Sequence, residues 1–130
     1  MLWEHRYQVI VFYEAGGQPL WPDSAIVSPW YDADSVDTLI PKLDQACSQN
    51  ANSSRETFFV TQGIVTPDKD LITQNLLSSL KHVVYRHVCE TLVSWVCKQD
   101  PKSGAVNIVI ADFIEAAKFT EVIILLNLKK

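Results

Sequence analysis

The sequence predicts an α/β protein built on parallel strands, and three observations carry that prediction. Strand-like segments are separated by amphipathic helical patterns in the order β–loop–α–β–α–β–α, and such alternation builds a parallel sheet with crossover helices. The strand candidates are almost continuously apolar, as in Val106-Asn107-Ile108-Val109-Ile110-Ala111. That pattern suits a sheet buried on both faces and not a half-wet antiparallel one. The same run ends on Asp112, at the carboxyl end of a strand, where α/β folds keep their chemistry.

Residues 6–13 form the first strand by their β-branched and aromatic content. Glu14-Ala15-Gly16-Gly17-Gln18-Pro19 breaks it, and an irregular stretch runs to about residue 34. A structureless stretch of that length is normally functional or a linker. Its two tryptophans, Trp21 and Trp30, favour a packed loop. Asp34 or Ser35 then caps a helix to about Gln49, with Val36, Leu39, Ile40 and Leu43 on one apolar face. Pro41 in its middle removes a helical hydrogen bond and predicts a kink. Residues 48–54 read as a polar loop, and the glycosylation triplet Asn52-Ser53-Ser54 within it means only that, given no secretory signal.

Residues 57–65 form the second strand, closed by Thr66-Pro67. Ile72, Leu76, Leu80, Val84, Val88, Leu92 and Val96 then repeat every four residues. Thr66-Pro67-Asp68 starts this pattern, and Asp100-Pro101-Lys102-Ser103-Gly104 stops it. Roughly 30 residues is long for one globular helix, so two helices meeting near residues 81–85 are expected. Residues 106–111 form the third strand, and a last helix carries Ala116, Phe119, Val122, Ile123 and Leu126 on one face. Asp112 has two readings here: the N-cap of that last helix, or a functional carboxylate. Three apolar parallel strands cannot close on themselves, so an open edge is expected at each side of the sheet. The chain is therefore expected to be part of a larger domain.

With 130 residues, 48% of them hydrophobic and 20% charged, the chain suffices for one core and is not disordered. Its net charge is −4, Arg6, Arg55 and Arg86 are scattered, and Lys129-Lys130 is a short tail. A nucleic-acid partner is not expected. Cys47, Cys89 and Cys97 are odd in number and lack CxxC spacing, which predicts buried free thiols in a reducing, cytoplasmic setting. No run of 18 apolar residues and no apolar leader is present. Asp32, Asp34 and Asp37 lack the glycine and bidentate acid of a calcium loop, so no metal site is expected. Gly16, Gly17, Gly63 and Gly104 form no phosphate-binding loop, and no cofactor is expected.

Leu2-Trp3-Glu4 is followed by Tyr7-Gln8-Val9-Ile10-Val11-Phe12-Tyr13, Leu20-Trp21-Pro22 and Pro29-Trp30. Phe58-Phe59-Val60-Thr61-Gln62, Val65-Thr66-Pro67, Trp95-Val96 with Gln99, and Gly104 come next. Val106-Asn107-Ile108-Val109, Ala111-Asp112-Phe113 and Leu126-Asn127 end the series. In order and spacing, along essentially the whole chain, these segments resemble the family of phosphatidylinositol-specific phospholipase C X-domain-containing proteins.

The resemblance implies a TIM-barrel-like phosphoric diester hydrolase of lipid metabolism, with residues 1–130 as its C-terminal half or less. Family members carry one catalytic histidine in a Pro-Gly-Ser-His segment and another just before a glycine. An Arg-Tyr-Phe-Asp-Leu-Arg strand lies between them. None of these segments is present, and His5, His82 and His87 read as surface or packing residues. Each missing general acid or base costs about 10²–10⁴-fold in rate, so the chain alone is expected to be inactive. By the same resemblance, Asp112 orients a catalytic histidine, Tyr13 covers a sugar-ring face and Gln62 bonds inositol hydroxyls. The implied partner is a phospholipid or inositol phosphate, met at a membrane surface. Trp21 and Trp30 are expected to anchor their loop in a small subsidiary core in preference to touching lipid. Related chains carry a basic residue after the proline where this one has Asp68, which weakens any anion-steering role there. The rival reading is a non-catalytic module that binds lipid or inositol phosphate, or pairs with another chain through its open sheet edges.

Overall fold

A computed structural model describes residues 12–13, 21–53, 57–100, 103, 105–115 and 117–128. The architecture is mixed α/β. Strands β3 (Ile26–Val27), β4 (Phe58–Gly63) and β5 (Ile108–Ala111) form a parallel sheet in the order β3-β4-β5. Helices α1 (Val36–Ala51), α2 (Lys69–Gln74), α3 (Leu80–Cys97) and α4 (Phe119–Asn127) alternate with them. Two short strands, β1 (Phe12–Tyr13) and β2 (Trp21–Pro22), pair in parallel as a separate sheet, and a 3-10 turn at Asp23–Ala25 leads into β3.

The parallel class follows the sequence, but the membership of the sheet corrects it. Residues 12–13 of the expected first strand lie in the two-stranded sheet, and residues 6–11 fall outside the described residues. The third strand of the main sheet is β3, inside the stretch read as irregular. A strand of two residues spans one alternation, too little for a period to register.

The register pairs Val60 with Ile108, Thr61 with Val109, Gln62 with Ile110 and Gly63 with Ala111. Paired residues of a parallel ladder point to the same face, and faces alternate along each strand. Phe59, Thr61, Gly63, Val109 and Ala111 therefore face the helices. Phe59 belongs to the buried core with Leu39, Leu43 and Cys47 of α1, Val84, Val88, Leu92, Trp95 and Val96 of α3, and Phe119 and Leu126 of α4. The other face carries Phe58, Val60, Gln62, Ile108 and Ile110; along β4 Val60 is buried, and the exposure falls on β5. Ile108 and Ile110 stay 38% and 39% exposed. The expectation that β5 is buried on both faces is thus corrected: one face is packed and one is open.

Helix α1 starts where the sequence allowed. Ser35 is the N-cap, its side chain accepting from the N–H of Thr38 while the Thr38 hydroxyl accepts from the N–H of Ser35, a reciprocal pair that satisfies two orphan donors. The helix runs unbroken through Pro41 to Ala51, past the expected end near Gln49. Pro41 is tolerated because it lies on the exposed side together with Asp37, whose carbonyl loses the helical partner and is left to water.

The long four-residue pattern divides earlier than expected, between residues 74 and 80. Asn75 ends α2, its side-chain amide donating to the Leu71 carbonyl at 2.8 Å, and Ser79 caps α3 by accepting from the N–H of His82. Short polar side chains that bond nearby backbone favour helix ends over helix interiors, and they outweigh the apolar period here. The buried stripe is accordingly Val84, Val88, Leu92 and Val96, while Ile72 and Leu76 are exposed. Helix α4 begins at Phe119, and Ala116 lies outside the described residues.

Leu92 seats α3 on the sheet. A Cβ built on Gly63 would lie 2.5 Å from Leu92 Cδ2 and 2.8 Å from Cδ1, with the Ile110 carbonyl at 3.2 Å. Leu92 has no exposed surface, so it has little room to swing aside. Gly63→Ala is expected to destabilise the fold by about 1–3 kcal/mol through overpacking. Urea unfolding of Gly63→Ala, Leu92→Ala and the double variant checks this: the double variant should lose less than the two singles together, since Leu92→Ala removes the clash. Additive losses would mean that the two positions do not touch.

Candidate functional site

The carboxyl ends of β3, β4 and β5 lead directly into Ser28, Ile64 and Asp112, and parallel sheets place their ligand sites at this rim. Gln62, next to last in β4, donates its amide to the Ser28 carbonyl at 3.2 Å and to the Ser28 hydroxyl at 2.8 Å. It ties the loop after β3 to the central strand. One step down, the N–H of Thr66 donates to the Ala33 carbonyl at 2.7 Å, and Lys42 Nζ donates to the Tyr31 carbonyl at 2.8 Å. The rim is therefore laced by hydrogen bonds between consecutive loops.

Asp112 is exposed at the end of β5. It caps no helix: α4 begins seven residues later, after Lys118. The capping reading of Asp112 is corrected on this ground. Phe113 directly after it takes a left-handed backbone (φ 55°), which an L-residue adopts only at some cost, and this turns the chain off the strand. Helix α3 holds the turn at three points. Cys89 Sγ donates to the Asp112 carbonyl at 3.8 Å, Lys81 Nζ pairs with Glu115 Oε1 at 2.6 Å, and the same ammonium lies 5.7 Å from the centre of the Phe113 ring.

Asp112 follows β5 directly and so lies at the same carboxyl end of the sheet as Gln62. Two of the three expected site residues thus lie at one end of the sheet. Tyr13 lies in the two-stranded sheet, not hydrogen-bonded to the other two strands, and its side chain is outside the described residues. His82 is exposed on α3. His5 and the side chain of His87 fall outside the described residues. Trp30 is 57% exposed, against the expectation that it packs its loop, and the side chain of Trp21 is not among those described. Cys47 and Cys89 are buried free thiols as expected, but Cys97 is exposed. It falls on the solvent side of α3, beside the buried Trp95 and Val96.

A cavity of about 650 Å³ at the rim is lined by Asp32, Asp34, Asp68, Thr66, Lys42 and Lys69 among others. Three carboxylates against two ammonium groups do not favour an anion there. Hydrogen bonds from Thr38 and then Ser35 hold the Asp34 carboxyl below the usual range. Among the described residues no group of three His, Cys, Asp or Glu side chains converges as a metal site would require.

Comparison with known proteins decides the family. The chain is 35% identical to mouse PI-PLC X domain-containing protein 2 over 130 residues, which cover 97% of this chain and 38% of that protein. It is 32% identical to human PI-PLC X domain-containing protein 3, over 97% of this chain and 40% of that one. The chain belongs to the PI-PLC X domain-containing protein family. Mouse PI-PLC X domain-containing protein 1 aligns at 30% identity over 98% of the chain and 37% of its own length. This chain thus spans about two fifths of the length of the PI-PLC X relatives it matches. No family model matches it, and no solved structure does.

Several residues that shape this PI-PLC X rim were not singled out from the sequence. Asn107 accepts the N–H of Phe59 at 2.9 Å and fixes the start of the β4–β5 ladder. Ser28, Lys81 and Cys89 anchor the Gln62 and Asp112 segments. No spacing rule joins residues 34 positions apart, as Gln62 is from Ser28 and Lys81 from Glu115. The Cys89 thiol is pushed up by burial, with the Glu115 and Asp112 carboxylates adding to the shift. Glu115 is held below the usual carboxylate value, first by its hydrogen bond from Lys81. A depressed folded-state value means that this pair contributes above the unfolded carboxylate value and is lost as pH falls through the folded one. Replacing Lys81 by Met is expected to raise the Glu115 value toward that of a free glutamate and to loosen the Asp112 turn. An NMR titration of the Glu115 carboxyl in both proteins reads this directly, and identical titrations would refute the pairing.

Proposed function

We propose that this chain is one arc of a TIM-barrel-type phosphoric diester hydrolase of the PI-PLC X kind, acting on inositol phospholipids at a cytoplasmic membrane surface. In this reading it supplies the supporting side of the site and not the proton-transferring histidines. The observation that carries the reading is the position of Gln62 and Asp112 together at the carboxyl rim of a parallel sheet. A barrel arc has helices on one face and an apolar interior on the other, and the packed and exposed faces of β5 fit that division. Asp112 then acts as the carboxylate that orients an imidazole and stabilises its protonated form, with its turn held by Lys81 and Cys89. Gln62 reaches inositol hydroxyls with whatever bonding capacity its Ser28 contacts leave. Both histidines come from the rest of a longer polypeptide.

The alternative, a non-catalytic partner-binding chain, draws on the exposed Ile108 and Ile110 of the open face, which suit pairing with another protein surface.

The test combines turnover and binding in the 130-residue chain. No release of inositol phosphate from phosphatidylinositol vesicles is expected, since a missing general acid or base costs about 10²–10⁴-fold each. Inositol 1-phosphate added to the ¹⁵N-labelled chain is expected to shift the amide signals around Gln62 and Asp112, and Asp112→Ala should abolish those shifts. Turnover that survives Asp112→Ala, or shifts confined to other surfaces, would overturn the assignment.

A further inference from the structure

The segment between β5 and α4 folds against its own sequence. Phe113, Ala117 and Lys118 take left-handed backbone, with φ of 55°, 52° and 56°. An L-residue with a Cβ enters that region only at some cost. Of the four non-glycine residues with positive φ among those described, three lie in this one connection. Helix α4 then starts at Phe119 behind Lys118, which supplies no side-chain cap. Helices α1, α2 and α3 are capped by the side chains of Ser35, Asp68 and Ser79.

The same residues favour a different structure. Asp112 and Glu115 stand three apart, the spacing of a capping box. There the N-cap carboxylate and the glutamate at the third helical position each satisfy a backbone N–H of the first turn. Ala116, Ala117 and Lys118, all strong helix formers, separate that box from Phe119. A helix begun at Phe113 would run into α4 in one piece. Local preference and observed fold therefore disagree here, and such a conflict leaves two arrangements close in free energy.

What holds the observed arrangement lies on α3. Lys81 Nζ pairs with Glu115 Oε1 at 2.6 Å and stands 5.7 Å from the centre of the Phe113 ring. The Glu115 carboxylate, engaged by Lys81 and by its own backbone N–H, is turned away from the N–H of Asp112. The ion pair and the capping box thus exclude each other. Cys89 Sγ donates to the Asp112 carbonyl at 3.8 Å, the oxygen that would accept the first N–H of an extended helix. Both side chains of the ion pair are more than half exposed, so this latch is weak.

We propose that the segment from Asp112 to α4 is a two-state switch on the candidate site. One state is the turn latched by Lys81, with Asp112 exposed at the rim. The other extends α4 toward its N-terminus and takes Asp112 as the cap. In that second state the Asp112 carboxylate accepts N–H bonds from its own helix and no longer orients an imidazole. A ligand that uses the carboxylate would draw the chain back to the turn. These consequences rest on the role given to Asp112 in the preceding section. The switch itself does not, and its test reads backbone conformation without substrate.

Chemical-exchange saturation transfer on the isotope-labelled 130-residue chain reads both states through the Cα and carbonyl shifts of Phe113, Glu115, Ala117 and Lys118. The parent should show the turn as its major state and a minor state with helical shifts. Lys81→Met, a change at an exposed position, should raise the helix-to-turn ratio by about two- to fivefold, the range an exposed ion pair supplies. Glu115→Gln should act in the same direction, since glutamine keeps the capping box and loses the charge. Ala117→Gly/Lys118→Gly should lower the ratio by about tenfold or more, because glycine adopts left-handed backbone freely and weakens the helix. Absence of a second state in both the parent and Lys81→Met would overturn the proposal. So would a second state without helical shifts, a ratio that Lys81→Met leaves unchanged, or a helical state that survives the double glycine change.

Discussion

Leu92 meets the backbone of β4 at Gly63, and the placement of the other elements depends on that contact. A residue with any side chain at Gly63 would hold α3 away from the sheet. With α3 seated, Trp95 on the same helix brings its indole N–H to Asp44 of α1 at 2.7 Å. Cys89 and Lys81, about two and four turns earlier, come within reach of the Asp112 turn. One helix therefore joins the core, its neighbour in the helix layer and the candidate site. Bonds to charged groups contribute about 1.5–3 kcal/mol when shielded, and less when exposed. The Lys81–Glu115 pair, half open to water, matters more for where it holds the turn than for its energy.

The second constraint is the one-sided cover of the sheet. Complete burial of an isoleucine contributes about 1.5–3 kcal/mol, and Ile108 and Ile110 leave part of that unrealised. Gln62, the polar member of the same face, places its hydrogen bonds at the rim, on Ser28.

Much of this was legible in the sequence where side chains repeat over several turns or pairs. Of the predicted α1 face Leu39 and Leu43 are buried and Val36 and Ile40 partly so, and the Val84 to Val96 stripe of α3 is buried as its spacing predicts. The family was legible too, because ordered short segments such as Trp95-Val96 and Ala111-Asp112-Phe113 add up along the chain. What periodicity cannot carry went unread. Strand β3 is too short to alternate, and the break at residues 75–79 is made by Asn75 and Ser79 bonding backbone inside an apolar repeat. Asp112 after an apolar strand and before a helical pattern looks like a cap, and the left-handed backbone at Phe113, Ala117 and Lys118 separates it from α4. The links from Gln62 to Ser28 and from Cys89 to Asp112 are tertiary, and no local pattern encodes them.

The central claim is that β5 carries one packed face and one exposed face. A soluble paramagnetic agent, read through methyl relaxation in the 130-residue chain, tests it most directly. Strong broadening of the Ile108 and Ile110 methyls, weak broadening of Val109 and none at Leu92 is the result this fold predicts. Isoleucine methyls as protected as those of Val109 would mean that the second face is covered, and that the open rim carrying Gln62 and Asp112 does not exist.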